Sequence, residues 1–427
     1  MKQAMFAIAI LSASAAAQAA WVTTDLGIDV SPHAIGISGT VVGVRPGTGH
    51  SISAFWTVPG GIQGLNVPGV DYSNATAANA LGHTVGVLNK AGITYAFLYR
   101  DGAMTELSLG GTYANAPVIN HAGQVAGDAW LPNRAESQAY LYQRGVLTPL
   151  PVTAPDVRVM ALNASGQVAG SGLPAGDASH AFVVTNGAVT DLGTLPGYPY
   201  SAAEAINDAG QVAGSASTLS WYGERAFRHS GGVMTDLGTL GGPTSIATAI
   251  NNAGHVVGTS DTAQKNVFHA FLHDGDKMID LGTLGGALSS AYGINSAGQV
   301  VGSSTLADGS LAEFLYENGT MHNLQDLVTG FTDIQMARIN DSGQISGKGL
   351  VNGKWHGFLL TWVQDPAPQA MALKSDSLAA PETSRPGKAA MTAPASLAAQ
   401  RAAFALHAEA TGMKCPPQYC TPSKKKK

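Results

Sequence analysis

The sequence predicts an all-β protein. It predicts a β-propeller of eight four-stranded blades, closed by an N-terminal strand and followed by a low-complexity tail. Three observations predict it. The first is a turn written eight times. Ala-Ile-Asn207-Asp-Ala-Gly-Gln-Val-Ala-Gly recurs as Ala-Ile-Asn251-Asn-Ala-Gly-His-Val-Val-Gly, with Asn at 79, 120, 163, 207, 251, 295 and 340 and a degenerate first copy set at Ser38. The spacing is 41 to 45 residues, the length of one supersecondary unit that cannot bury its own apolar faces and must stack. The second is that each period holds four short apolar segments separated by turn signals, the spacing of an all-β array. The third is the leftover count, taken up below.

The segments are named A (ending at the Asn), B (Gln-Val-Val-Gly), C (Ala-Phe-Leu) and D (Met-x-Asp-Leu), and the units are numbered one to eight along the chain. Between A and B, the Asn accepts from backbone ahead of it and the Gly takes a left-handed conformation, a type I turn with a following bulge. Between C and D stand Asp101-Gly, Asn186-Gly, Ser230-Gly, Asp274-Gly and Asn318-Gly, signals of a tight hairpin. Strand C recurs at Phe55, Phe97, Tyr140, Phe182, Phe227, Phe271, Phe314 and Phe358, rings expected to pack blade on blade. Strand D recurs around Leu65, Leu107, Leu147, Leu192, Leu237, Leu281 and Leu324, one copy short. The missing copy opens the chain, because Val22-Thr-Thr-Asp25-Leu26-Gly27 matches Val233-Met-Thr-Asp236-Leu237-Gly238. A lone D at the start and an A-B-C at the end complete each other in a ring and remove both free edges. Strand A is rich in small residues, as in Ser201-Ala-Ala-Glu-Ala205, which suits strands crowding a central channel.

Residues 1–19 read as a signal peptide. Lys2 is followed by the apolar run from Ala4 to Ala16, too short to span a bilayer, and by the small-x-small site Ala17-Gln18-Ala19. No later stretch approaches the roughly 18 apolar residues of a transmembrane helix. The mature chain is expected to be secreted, periplasmic or held at the cell surface. Only 12% of residues are charged. Residues 20–363 carry a net charge of −11 and residues 364–427 a net of +5. An acidic body argues against nucleic acid as a partner. The tail, 364–427, is rich in Ala and Pro and reads as a linker with a basic end, Lys424 to Lys427. Its Cys415 and Cys420 are expected to close a local disulfide in an oxidising compartment.

His269-Ala-Phe-Leu, Asp280-Leu-Gly-Thr-Leu-Gly-Gly286, Ala291-Tyr-Gly-Ile-Asn295 and Gly298-Gln-Val-Val-Gly302 resemble the HAF repeat of bacterial extracellular repeat proteins. The resemblance covers nearly all of 21–363, is strong in units four to seven and weak in the first two. The His is replaced by Ser53, Tyr95, Gln138, Arg225 and Ala312. The resemblance implies export and a repeat fold; it implies no established activity and no catalytic residues.

The residues themselves carry no Gly-x-Ser-x-Gly, His-Glu-x-x-His or P-loop signature, and no cofactor or metal is implied. His180, His269 and His356 occupy equivalent places in units that a ring holds apart, which makes them structural. Asp274, Asp276 and Asp280 resemble part of a calcium loop, yet no other unit has the set. Parity places the A–B and C–D turns on one face and the B–C and D–A connections on the other. The second set is longer and more variable, and variable loops on a rigid scaffold carry function. Its aromatics and arginines, Trp130, Arg134, Tyr198, Tyr200, Trp221, Tyr222 and Arg225, are the binding candidates, suited to a glycan or protein ligand; covering blade edges is the competing role. The expectation is a monomeric, non-enzymatic exported scaffold. The alternatives are a glycan-active hydrolase or lyase, with acids such as Glu204 or Asp208 at the channel mouth, and a structural cell-surface protein.

Overall fold

The computed structural model describes residues 20–47, 52–65, 69–115, 117–132, 135–175, 178–218 and 223–363. The signal-peptide segment, the tail with Cys415 and Cys420, and the candidates Arg134, Trp221 and Tyr222 lie outside the described residues.

The fold is all-β, with a single one-turn helix, Leu324–Leu327, among the described residues. Each unit is an up-and-down antiparallel sheet in the order A, B, C, D. In unit five these strands are Tyr200–Ile206, Val212–Ser217, Arg225–Ser230 and Val233–Asp236. Units three, four and five are separate four-stranded sheets. Units one and two are joined by one parallel bridge, Ile52 to Tyr72, and units six and seven by another, Phe268 to Leu288. The last sheet takes its outer strand from the start of the chain. Ala20–Ile28 lies antiparallel to Lys354–Val363, with Asp25 opposite Phe358 just as Asp236 lies opposite Phe227.

The glycine of strand B and the aromatic of strand C explain each other. In all eight units they are directly opposite: Gly43 and Phe55, Gly86 and Phe97, Gly127 and Tyr140, Gly170 and Phe182, Gly214 and Phe227, Gly258 and Phe271, Gly302 and Phe314, Gly347 and Phe358. Every one of these rings is fully buried. The ring folds over the glycine. A Cβ on Gly258 would stand 2.9 Å from Phe271 Cε1 and 1.9 Å from the strand-A carbonyl of Ile246, so this position accepts no side chain.

The repeated Asn does more than shape its own turn. Asn207 Oδ1 accepts from Gln211 N (2.9 Å), and its Nδ2 donates both to Gln211 Oε1 (2.8 Å) and to the carbonyl of Asn251 in the next unit (3.0 Å). The inter-unit bond repeats from Asn79 to Asn120, Asn120 to Asn163, Asn163 to Asn207, Asn251 to Asn295 and Asn295 to Asn340. Asn340 donates to Gly36 O, in unit one, at 2.9 Å. The Ser that opens strand A adds a second tie. Ser201 Oγ accepts from Ala181 N of the preceding unit (2.8 Å) and donates to Gly193 O (2.6 Å), and Ser245 and Ser289 do the same.

Four details differ from the sequence reading. The first turn copy centres on Gly36, not Ser38: Gly36 N donates to Thr40 O and Gly39 N to Gly36 O, the pattern of Asn79 and Gly82. Having no side chain, Gly36 sends no amide to unit two. In unit three the strand-D core leucine is Leu150, 4% exposed, rather than Leu147. The unit-five C–D turn is Gly231-Gly232, at φ 59° and 84°, and Ser230 stays extended. The B–C connections of units two and eight are short turns, Ala91-Gly92 and Asn352-Gly353, with left-handed residues at both positions.

Two predictions follow from this packing. Gly258→Ala should destabilise the fold by about 3 kcal/mol or more, because neither the backbone carbonyl nor the ring has room to move. Its chemical-denaturation midpoint, compared with Ala at the open Gly282 where strain comes from φ alone, checks this. Asn207→Ala should cost roughly 2–3 kcal/mol, since it orphans a buried carbonyl and a turn N–H.

Candidate functional site

Among the described residues, the connections at the B–C and D–A end build a polar and aromatic cluster at unit three. Strand B of that unit, Val125–Trp130, runs out to this end. The D–A connection 108–115 lies across it. Gly111 permits the crossing, because a Cβ there would meet Trp130 O at 1.5 Å. Backbone bonds then strap the connection down, with Trp130 N donating to Tyr113 O (2.9 Å) and Asn115 N to Asp128 O (3.0 Å). Tyr113 is left 49% exposed, a large ring held in solvent by a fixed backbone.

Behind it lies Asp128, 1% exposed. One carboxylate oxygen accepts from Val159 N of unit four (2.9 Å) and the other from Asn115 Nδ2. Burial pushes this carboxyl up to about 6; the bonds from Val159 and Asn115 and the nearby Arg158 hold it down. Arg158 donates from Nε to Asp156 Oδ1 (2.9 Å) and from Nη1 to Asn115 Oδ1 (3.3 Å). Tyr113, Trp130, Asn115, Asp156 and Arg158 thus form a patch of aromatic surface beside a fixed guanidinium–carboxylate pair. Beneath them, Tyr140 replaces the Phe of other units, and burial raises its hydroxyl pKa.

Of the candidates read from the sequence, Trp130 is part of this cluster. Tyr198 and Tyr200 belong to the connection into unit five. Tyr198 packs on the core shared by units four and five and lines an open depression of about 440 Å³ formed by residues 194–199. Tyr200 starts strand A opposite Ser217. Arg225 stands in the place of the repeat histidine and is paired with Asp236 (3.1 Å). Its equivalents His180, His269 and His356 each bond through Nδ1 to the strand-D carboxylate, Asp191, Asp280 and Asp25. That carboxylate also caps the N–H two residues on. These pairs clamp strand C to strand D.

The acids weighed for catalysis sit elsewhere. Asp208 lies in an A–B turn, at the opposite end, where it accepts from Ala164 N (2.9 Å) and Asn252 Nδ2 (2.8 Å) of the flanking units. Glu204 is the extra residue where strand A bulges between Ala203 and Ala205. Asp274 caps its own turn, accepting from Asp276 N and Lys277 N, whereas Asp280 is taken by His269. Sequence reading missed Tyr113, Asn115, Asp128, Asp156 and Arg158. One signal was available: the residue after the strand-B glycine is Ser171, Ser215, Thr259 or Ser303 in four units and Val44, Val87 or Lys348 in three, and a carboxylate only at Asp128.

No family model and no curated protein matches the chain. Among solved structures, the β-propeller domain of the Trilobed protease from Pyrococcus furiosus is similar, at 11% identity and a TM-score of 0.47 over 69% of this chain and 94% of that one. TolB from Acinetobacter baumannii is similar at 11% identity and 0.36, over 66% and 82%. Pyrococcus horikoshii acylaminoacyl peptidase is similar at 11% and 0.41, over 75% and 50%. The strand order described above is that of a β-propeller scaffold. No helix among the described residues is long and apolar enough to cross a membrane.

Asp128 gives a pH test. Its folded pKa is raised above the unfolded value of 3.8, so its contribution to stability is fully present below about pH 4 and is lost as pH rises through 6. Asp128→Asn should remove that part of the slope, on the order of 2–3 kcal/mol between pH 4 and 7. Urea midpoints of wild type and variant across this range measure it.

Proposed function

We propose that the chain is an exported HAF-repeat protein whose units form an eight-bladed ring closed by Ala20–Ile28, and that it is a non-enzymatic scaffold binding a glycan at the unit-three edge. Closure is supported by the antiparallel pairing of Ala20–Ile28 with the last strand and by the Asn340 bond to Gly36, residues 304 apart in sequence. The binding reading rests on one observation: an exposed Tyr113 ring fixed beside the Arg158–Asp156 pair and Asn115. Aromatic faces stack on the C–H face of a pyranose, and planar charged groups bridge vicinal hydroxyls. The surface is built before ligand arrives, which lowers the entropy cost of binding.

A binding role is favoured over hydrolysis because the buried carboxylate is already engaged on both oxygens. A general acid or base needs a free oxygen within reach of substrate.

Purified protein should retain particular oligosaccharides from a broad glycan array without releasing products. Tyr113→Ala and Arg158→Ala should each weaken that binding at least tenfold, with the melting temperature unchanged within a few degrees. Binding unaffected by both substitutions removes the site. Cleaved product transfers the reading to an enzyme, and capture of protein alone transfers it to a protein partner.

A further inference from the structure

A second group of polar side chains breaks the repeat where units seven, eight and one meet. In six units the residue before the strand-C aromatic is a buried alanine, at 54, 96, 139, 181, 226 and 270. In unit seven it is Glu313, 3% exposed. Strand A of unit eight, Thr332–Ile339, is distorted around it. Its register slips twice, and Asp333 and Met336 take left-handed backbone at φ 52° and 62° although neither is glycine. Such strain persists where surrounding structure enforces it, often at functional sites. The distortion turns Met336 N to Glu313 Oε1 at 3.2 Å. Glu313 Oε2 is enclosed and has no hydrogen-bond partner among the described residues.

Arg338 lies two residues along the same strand. Its Nη1 donates to the carbonyl of neighbouring Ala337 (2.9 Å), and among the described residues no carboxylate is within ion-pairing distance of it. Tyr292, on strand A of unit seven, bonds through its hydroxyl to Ser303, the residue directly opposite Glu313. His33, on strand A of unit one, bonds through Nδ1 to Asn74 Oδ1 at 2.7 Å. Arg338, Tyr292 and His33 are part-buried, whereas Glu313 is enclosed.

The charges do not balance. Lys348 faces Asp333 and lies over the Trp355 ring. Burial lowers the His33 pKa, and Arg338 and Lys348 lower it further, which keeps His33 neutral. Burial pushes the Glu313 carboxyl up to about 8 in spite of Arg338, so it carries its proton at neutral pH. The Arg338 guanidinium feels Glu313 and Tyr292 at longer range but has no carboxylate within ion-pairing distance among the described residues, and a partly enclosed cation so placed favours a bound anion. A protonated Oε2 is likewise a donor in want of an acceptor.

We propose that this junction binds a small oxyanion, carboxylate or phosphate, held by the Arg338 guanidinium with the Glu313 carboxyl and the Tyr292 hydroxyl as further donors. A guanidinium fork matches either oxyanion in two parallel hydrogen bonds. The inference does not depend on the glycan reading, because the groups involved sit on other units, Glu313 on strand C of unit seven and Tyr292, Arg338 and His33 on strands A of units seven, eight and one.

The full chain, unfolded thermally at pH 7 in sodium phosphate or sodium acetate, is compared with sodium chloride at matched ionic strength. The melting temperature should rise with the logarithm of oxyanion concentration and stay flat in chloride. A larger shift in phosphate or in acetate identifies which oxyanion the site prefers. Calorimetric titration should give a Kd that Arg338→Met raises at least tenfold and Tyr292→Phe several-fold. If Arg338→Met does not fold, Tyr292→Phe carries the test alone. Equal response to chloride and both oxyanions overturns the proposal. So does loss of stability in Glu313→Gln with no oxyanion effect in wild type, which would make Glu313 itself the counter-charge.

Discussion

The bond from each repeat asparagine to the next unit's carbonyl sets the distance between units, and the rest of the structure depends on that distance. A four-stranded sheet has two apolar faces and no means of covering either. Its Phe ring can be buried only if the next unit arrives at fixed spacing. One Asn side chain, through Oδ1 and Nδ2, closes its own turn, holds Gln, and reaches the neighbour. The glycine facing each ring then sets how closely the strands lie, because strand A's carbonyl fills the space a Cβ would need.

Most of the fold was legible because repetition reports the same constraint eight times. The period, the four strands and the match of the opening strand to strand D all came from residue types whose physics is local: Gly at left-handed φ, Asn at turns, Phe in a core. The errors fell where a copy is degenerate. Gly36 was missed because nothing at that position resembles Asn, and only its backbone bonds to Thr40 and Gly39 reveal the equivalence. Leu150 was displaced by three residues because unit three places Pro149 where four other units have the strand-D aspartate. Arg225 looked like a ligand-binding cation because its partner, Asp236, stands eleven residues away on the next strand. The inter-unit role of Asn was invisible for the same reason: the acceptor is about 44 residues away.

The candidate site was barely legible. It combines a loop at 108–115, the end of a strand at 128–130 and a loop at 156–158, and no spacing rule connects them. Trp130 was found by its residue type and its place in a variable B–C connection. Tyr113 is the more exposed aromatic of the two, but sequence offers no way to know that Gly111 and two backbone bonds pin it open. What the sequence did supply was parity, which put both connections at one end.

Departures from the repeat are therefore more informative than the repeat. Where a position is Ala in six units, or Ser or Thr in four, packing explains the residue and nothing further is required. Asp128 and Glu313 put a carboxyl into such positions, each one reaching a backbone N–H on strand A of the following unit. Burying these groups works against stability at neutral pH, since both carboxyls are held well above their ordinary range by desolvation. A scaffold under selection for stability alone would keep the serine or the alanine that its other units use. The cost is met at two seams, and at both an arginine on or beside the same strand completes the group. That coincidence of a destabilising acid, an adjacent cation and distorted or strapped backbone is the physical reason to look for ligands at these two seams rather than at the regular ones.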